Sequence, residues 1–166
     1  CTSASVVIGD AEIEAAIHVA KPGAPVVTPP MAGVRGLRAL GAKKISILTP
    51  YTVRTTQPMV TYFAAHGFEI ASTTCLGFED DREMARISPA SLVELAREAM
   101  DAEANALFVS CTALRSALAA VAMEEATGRP VVTSNQATAW NCLRLCGDDE
   151  ARPKFGRLHT LPLPRG

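Results

Sequence analysis

Apolar and polar positions alternate along this chain in two rhythms. Short β-branched runs are separated by stretches with apolar residues three and four apart, which predicts strands alternating with amphipathic helices. Residues 10–20 (DAEIEAAIHVA) read as a helix, with Asp10 as its N-cap and Lys21-Pro22-Gly23 as its stop. Ala24–Thr28 reads as a short buried strand, residues 31–40 as a helix ending at Gly41, and Lys44–Thr49 as a strand. A helix is predicted over 56–66, with Pro58 in its first turn and Gly67 closing it. Phe68–Thr73 reads as a strand and Gly77–Ile87 as a charged connection. Ser88 then caps a helix over 89–103. The remainder predicts a strand at Ala106–Ser110, a helix over 113–126, a strand at Pro130–Thr133, a helix over 136–146 and a coiled tail from 148. Such alternation implies an α/β fold with a mainly parallel sheet.

The chain also repeats itself. Cys1-Thr2-Ser3-Ala4 leads into a helix, then Pro25-Val26-Val27-Thr28, then a helix ending Leu37-Arg38-Ala39-Leu40-Gly41. Cys111-Thr112-Ala113-Leu114 opens the same order, followed by Pro130-Val131-Val132-Thr133 and a helix ending Leu143-Arg144-Leu145-Cys146-Gly147. The copies lie about 105–110 positions apart. Duplication predicts two pseudo-symmetric lobes, approximately 28–110 and 1–27 with 111–166, and two equivalent Cys-Thr pairs. The strand that precedes Cys111 has no counterpart before Cys1. By its own symmetry the sequence therefore reads as a single domain over 1–166 lacking an N-terminal βα portion.

Composition narrows the function. Of 166 residues, 48% are apolar, enough for one substantial core. The net charge of −1 argues against binding nucleic acid by phosphate neutralisation. No apolar run reaches the roughly 20 residues that span a bilayer. Five irregularly spaced cysteines do not form a secreted disulfide framework and suit a reducing cytoplasm.

Thiols are useful proton carriers because their ordinary pKa, about 8.5, lies near neutrality. Ligands in open α/β folds bind beyond the carboxyl ends of strands. Cys111 follows a strand and is expected to sit at the start of a helix, where a thiolate is favoured. Two thiols on opposite sides of one carbon can invert it: one removes a proton and the other returns one. One thiolate can also add to an activated double bond, allow rotation, and leave. Both routes place negative charge on a substrate carboxylate, for which Thr2, Ser3, Thr112 and backbone N–H groups are candidate donors. Cys75, Cys142 and Cys146 read as packing residues, and His18, His66 and His159 share no motif. Asp80-Asp81 reads as a solvated loop, and no metal site is expected.

Several segments resemble the aspartate/glutamate racemase superfamily, in its maleate cis–trans isomerase, arylmalonate decarboxylase and ectoine-utilisation protein A branch. They are Cys1–Ser5, Gly36–Gly41, Leu48–Tyr51, Met84–Ile87, Val109–Thr112, Ser134–Ala137 with Trp140, and Phe155–Leu158. The resemblance implies two pseudo-symmetric α/β lobes with the site between them, a homodimer or larger, and no cofactor. It implies that Cys1 and Cys111 are the catalytic pair, with Thr2, Ser3, Tyr51 and Thr112 binding a small carboxylate. Arylmalonate decarboxylases carry Gly where this chain has Cys1, so two cysteines favour isomerisation or racemisation over decarboxylation. Maleate isomerases use an Asn in the loop that here reads Glu79-Asp80-Asp81-Arg82. A non-catalytic ligand-binding protein on the same fold is the alternative from another class. A third reading, an N-terminal-nucleophile hydrolase built on Cys1, disagrees with the α/β pattern.

Overall fold

The computed structural model describes residues 1–164. Its elements, in order, are α1 (Thr2–Ile8), α2 (Asp10–Ala20), α3 (Pro29–Ala39), β1 (Lys44–Tyr51), α4 (Val53–Ala65) and β2 (Glu69–Phe78). Then follow α5 (Asp81–Met84), α6 (Pro89–Ala99), β3 (Ala106–Val109), α7 (Ser116–Thr127), β4 (Val131–Thr133) and α8 (Ser134–Leu145). Two short 3-10 turns, Pro153–Phe155 and Arg157–Thr160, punctuate the tail that sequence reads as coil.

The four strands form one sheet in the order β2-β1-β3-β4, and every pairing is parallel. The predicted α/β class and parallel sheet are therefore observed. Parallel strands must be covered on both faces, which is why β3 is apolar throughout and fully buried. On one face Phe63 of α4 meets Phe108 of β3 with ring centroids 4.6 Å apart. Gly33 lets α3 lie directly on that pair, since a Cβ there would stand 2.7 Å from the Phe108 ring. Elsewhere α6 packs along α7, and α3 along α8.

The helix starts follow side-chain capping. Thr52, Ser88 and Thr133 accept hydrogen bonds from the backbone N–H groups of Thr55, Ser91 and Gln136, and Gln136 completes a capping box. The Thr52 cap starts α4 earlier than the pattern suggests, so Pro58 lies in its second turn. Asp10 is not a cap. Gly9 holds that place, while the Asp10 carboxylate accepts from the hydroxyls of Thr28 and Tyr62. Ala24–Thr28 is not a strand either. No strand lies beside it among the described residues, and a strand exists only through its partner. β2 runs five residues past its expected end because a bulge, with Gly77 at φ 81°, keeps the pairing going to Tyr51–Phe78.

Two features of the sequence repeat recur in its helices. Thr28 and Thr133 both cap, and Gly41 and Gly147 both take the left-handed conformation just past the ends of α3 and α8. The two equivalent helices pack together, with the Arg35 guanidinium donating to Asn141 Oδ1 at 2.9 Å.

The tail is held by side chains of α7 and α8. Arg144, nearly wholly buried, donates to the carbonyls of Asp148, Glu150, His159 and Leu161 at 2.6–3.2 Å. Trp140 Nε1 donates to Leu161 O at 2.9 Å. The buried Glu124 carboxylate accepts from the N–H groups of Val131 and Arg157. Burial raises the Glu124 pKa above its ordinary value, against the lowering effect of those donors.

Two outcomes follow. Gly33→Ala should lose about 1–3 kcal/mol in urea denaturation, because the Phe108 ring is fixed by its neighbours. A raised folded-state pKa stabilises below the unfolded value and ceases to do so as pH rises through the folded value. Glu124→Gln should therefore become progressively more stable relative to the parent as pH rises above the ordinary carboxylate value of 4.5. Parallel melts across pH 4–8, flat in their difference, would contradict this.

Candidate active site

Strand order fixes where a site can form. From β1 the chain passes to β2 on one side, then returns to β3 on the other. The connections leaving the carboxyl ends of β1 and β3 diverge, which opens a crevice between those ends. Tyr51 is the last residue of β1, and Ser110-Cys111 immediately follow β3. The β1–β2 register puts Phe78 opposite Tyr51, so the Glu79–Asp81 turn emerges beside it.

Cys111 is only 1% exposed and has φ 96°, the one positive φ at a non-glycine among the described residues. Such a backbone costs on the order of 1–3 kcal/mol and persists only where surroundings enforce it. Here the enforcement is visible. Asn135 Nδ2 donates to Thr112 O at 3.0 Å and to Leu114 O at 3.4 Å, pinning the loop. Asn135 is within reach because Val109 of β3 pairs with Thr133 of β4. The Cys111 sulfur accepts the Ala113 N–H at 3.3 Å and donates toward Met84 Sδ at 3.8 Å. The expected position at a helix start is corrected: α7 begins only at Ser116, and the Ala113 amide within the turn takes the place of helix-terminal donors.

A cleft of about 360 Å³ lies at this end of the sheet, lined by Cys1, Ser3, Tyr51, Thr55, Phe78, Glu79, Asp81 and Met84. Cys1 precedes α1, and its sulfur lies 3.2 Å from Ser3 Oγ. Tyr51, 3% exposed, and Ser110, wholly buried, have hydroxyls that complete no well-formed hydrogen bond among the described residues, although Ser110, Ser3 and the Cys111 sulfur stand close to the phenol. Burial pushes the Tyr51 phenol well above its usual pKa, and the adjacent Cys111 sulfur adds to this, so the hydroxyl keeps its proton. Ser110 and Ser3 face the same phenol and pull the other way. An unpartnered buried hydroxyl costs about 1–3 kcal/mol, which a bound acceptor would offset.

The sequence-predicted residues divide accordingly. Cys1, Ser3 and Tyr51 line the cleft. Cys111 stands behind it, against Tyr51 and Met84. Thr2 is fully buried and donates to Ser134 Oγ at 2.8 Å, tying α1 to the first turn of α8. Thr112 is half-buried and contributes its carbonyl to the Asn135 clamp. Sequence reasoning gave no role to Ser110, Asn135, Met84, Phe78 or Glu79. Ser110 and Asn135 could have been found from the positions directly after two neighbouring parallel strands. Cys142 and Cys146 are exposed, contrary to a packing role. A second cavity, about 200 Å³ between α2, α3 and α8, is lined partly by Asp10 and Arg35. Both are already hydrogen-bonded there. Among the described residues no group of three or more His, Cys, Asp and Glu could hold a metal ion, and no helix is long and apolar enough to cross a membrane.

Comparison with known proteins gives concordant results. The arylmalonate decarboxylase family model matches residues 3–159. An arylmalonate decarboxylase of Bordetella bronchiseptica is 33% identical over 82% of this chain and 58% of its own length. A maleate isomerase of Geobacillus stearothermophilus is 30% identical over 81% of this chain and 54% of its own length. The chain thus spans just over half the length of these curated relatives. Among solved structures, a Nocardia farcinica maleate cis–trans isomerase mutant with a covalently bound succinylcysteine intermediate superposes with a TM-score of 0.87. It is 29% identical, with 96% of this chain and 69% of that one covered. The parallel sheet and the sequence match agree that this chain belongs to the arylmalonate decarboxylase family, on the Asp/Glu racemase-like fold shared with maleate isomerases.

Proposed function

We propose that the protein isomerises or racemises a small carboxylate without a bound cofactor, using Cys1 and Cys111 as its reacting groups. One observation carries this reading. A buried thiol on a strained turn adjoins two unpartnered hydroxyls, and the cleft beside them is lined by a second thiol. The substrate carboxylate accepts hydrogen bonds from the Tyr51 and Ser110 hydroxyls. Tyr51, held protonated, is a donor there and not a competing anion. Ser3 is close enough to Cys1 to steady whichever protonation state that sulfur holds.

In the racemase form, one cysteine thiolate takes the proton from the carbon next to the carboxylate. The electron pair spreads onto the carboxylate oxygens, where the hydroxyl donors stabilise it. The other cysteine, as thiol, returns a proton to the opposite face. The thiolate has moved from one sulfur to the other, and the reverse substrate finds the enzyme ready. In the isomerase form, the Cys1 thiolate adds to an alkene carbon while Cys111 protonates its neighbour. The resulting single bond rotates. Cys111 then removes that proton, the C–S bond breaks, and the Cys1 thiolate is regenerated. The succinylcysteine adduct in the Nocardia relative is chemistry of this second kind.

Decarboxylation is a second reading, favoured by the family match and by the Bordetella relative. It needs one cysteine only, to protonate the carbanion left by departing CO₂. Serine variants separate the readings. Cys1→Ser and Cys111→Ser should each lower turnover by about 10²–10⁴-fold, the usual scale for a positioned acid or base. The assay is proton NMR in D₂O on a panel of four-carbon carboxylates and arylmalonates. Turnover of an arylmalonate that survives Cys1→Ser would favour decarboxylation. Among active substrates, obligatory deuterium at the α-carbon without loss of CO₂ marks racemisation, since decarboxylation in D₂O labels that carbon too. Unchanged turnover in both variants would refute a thiol mechanism.

A further inference from the structure

The helices α3 and α8 follow the same Val-Val-Thr run, and the threonine caps each of them. α3 then opens on Pro29-Pro30, whereas α8 opens on Ser134-Asn135. Prolines start the first helix well enough, so starting a helix does not account for the polar pair in the second. Their side chains act elsewhere. Ser134, wholly buried, accepts from the Thr2 hydroxyl at 2.8 Å, and Thr2 opens α1 directly after Cys1. Asn135 donates to the carbonyls of Thr112 and Leu114. Those carbonyls flank Ala113, whose N–H the Cys111 sulfur accepts. Two adjacent residues of one helical turn therefore hold the two segments that carry the two cleft-side thiols.

The turn that holds them is itself fixed. Thr133 pairs with Val109, so α8 begins level with the end of β3. The capping box of Thr133 and Gln136 closes the turn, and Gln136 Nε2 braces it against the tail by donating to Phe155 O at 2.6 Å. At Cys111 the need for a hold shows in the backbone, since a φ of 96° relaxes unless its surroundings enforce it. Cys1 is exposed, and the buried Thr2 contact is the fixed point beside it. Chemistry at a carbon between two sulfurs depends on where both stand, and a misplacement of about 1 Å can cost about 10²-fold in rate. Resting on the reading that both thiols react with a bound carboxylate, we infer that Ser134 and Asn135 are positioning residues that set the two sulfurs against one carbon. Ser134 acts through Thr2 on Cys1, and Asn135 acts through the Thr112–Leu114 turn on Cys111. Thr2, expected from sequence to bind substrate, belongs to this arrangement.

The test labels each cysteine separately. Bromoacetate carries a carboxylate and a carbon beside it that a thiolate attacks, forming a C–S bond as bromide leaves. Bromoacetamide reacts in the same way but carries no charge. Initial rates at each cysteine are read by peptide mass spectrometry, with the exposed Cys142 as the internal reference. In the parent, bromoacetate should be favoured over bromoacetamide at Cys1 and Cys111 by about tenfold or more relative to Cys142. Thr2→Val and Ser134→Ala should each slow bromoacetate at Cys1 by about 10–10²-fold and leave Cys111 near its parent rate. Combining the two changes leaves neither hydroxyl buried without a partner, and should slow Cys1 no further. Thr2→Ser, which restores the hydroxyl, should recover the Cys1 rate. Asn135→Leu keeps the volume without the donor, and Asn135→Ala empties it. Both should slow Cys111 and spare Cys1. Parent rates in all these variants, or a change shared equally by Cys142, overturn the inference and leave the carboxylate reading standing. Slowing at both cysteines by Thr2→Val, with Ser134→Ala without effect, also overturns it by making Thr2 a carboxylate contact. If the parent shows no preference for bromoacetate at Cys1 or Cys111, the carboxylate reading falls, and the inference with it.

Discussion

The parallel pairing of β1 with β3 is the constraint from which the rest follows. Parallel strands need helices on both faces, so their side chains are committed to the core. Only the strand ends remain for chemistry. Because the chain leaves β1 in one direction and β3 in the other, those ends are also where a crevice opens. Tyr51 and Cys111 meet there for no reason more elaborate than being the residues at which β1 stops and β3 has just stopped.

What sets the crevice apart is incomplete satisfaction beside a strained backbone. Elsewhere in the described structure buried polar groups are mostly paired, down to an Arg144 guanidinium shared among four carbonyls. At the crevice the hydroxyls of Tyr51 and Ser110 are left open and the backbone of Cys111 is bent out of its favoured region. Strain and unmet hydrogen bonds oppose folding, and a stable core is needed to hold them. The packing of Gly33 against Phe63 and Phe108 lies beneath β3 and supplies part of that rigidity. The fold thus sets a buried thiol and two buried hydroxyls at one point, and the loop after β2 borders the cleft beside them.

Much of this was legible in the sequence, and the exceptions have physical causes. Period and capping placed most helices and all four observed strands, because those signals are local. The repeat pairs Cys1 with Cys111 on sequence alone, and in the fold Cys1 lines the cleft with Cys111 behind it. Ala24–Thr28 failed because its composition suits a strand, while a strand also needs a neighbour that composition does not report. Asp10 failed because its carboxylate met Thr28 and Tyr62, partners 18 and 52 positions away. Ser110 and Asn135 escaped notice because their roles arise from β3 and β4 lying side by side, a tertiary fact. The orientation of Glu79 depended on a bulge that the pattern had ended as a strand too early.

The central claim is that a carboxylate sits on the Tyr51 and Ser110 hydroxyls with the carbon beside it between two sulfurs. A crystal structure of the protein saturated with butyrate tests this most directly. The account predicts both hydroxyls hydrogen-bonded to the carboxylate, with the Cys1 and Cys111 sulfurs on opposite faces of the adjacent carbon at about 3.5 Å. A carboxylate bound elsewhere, or both sulfurs on one face, would contradict it.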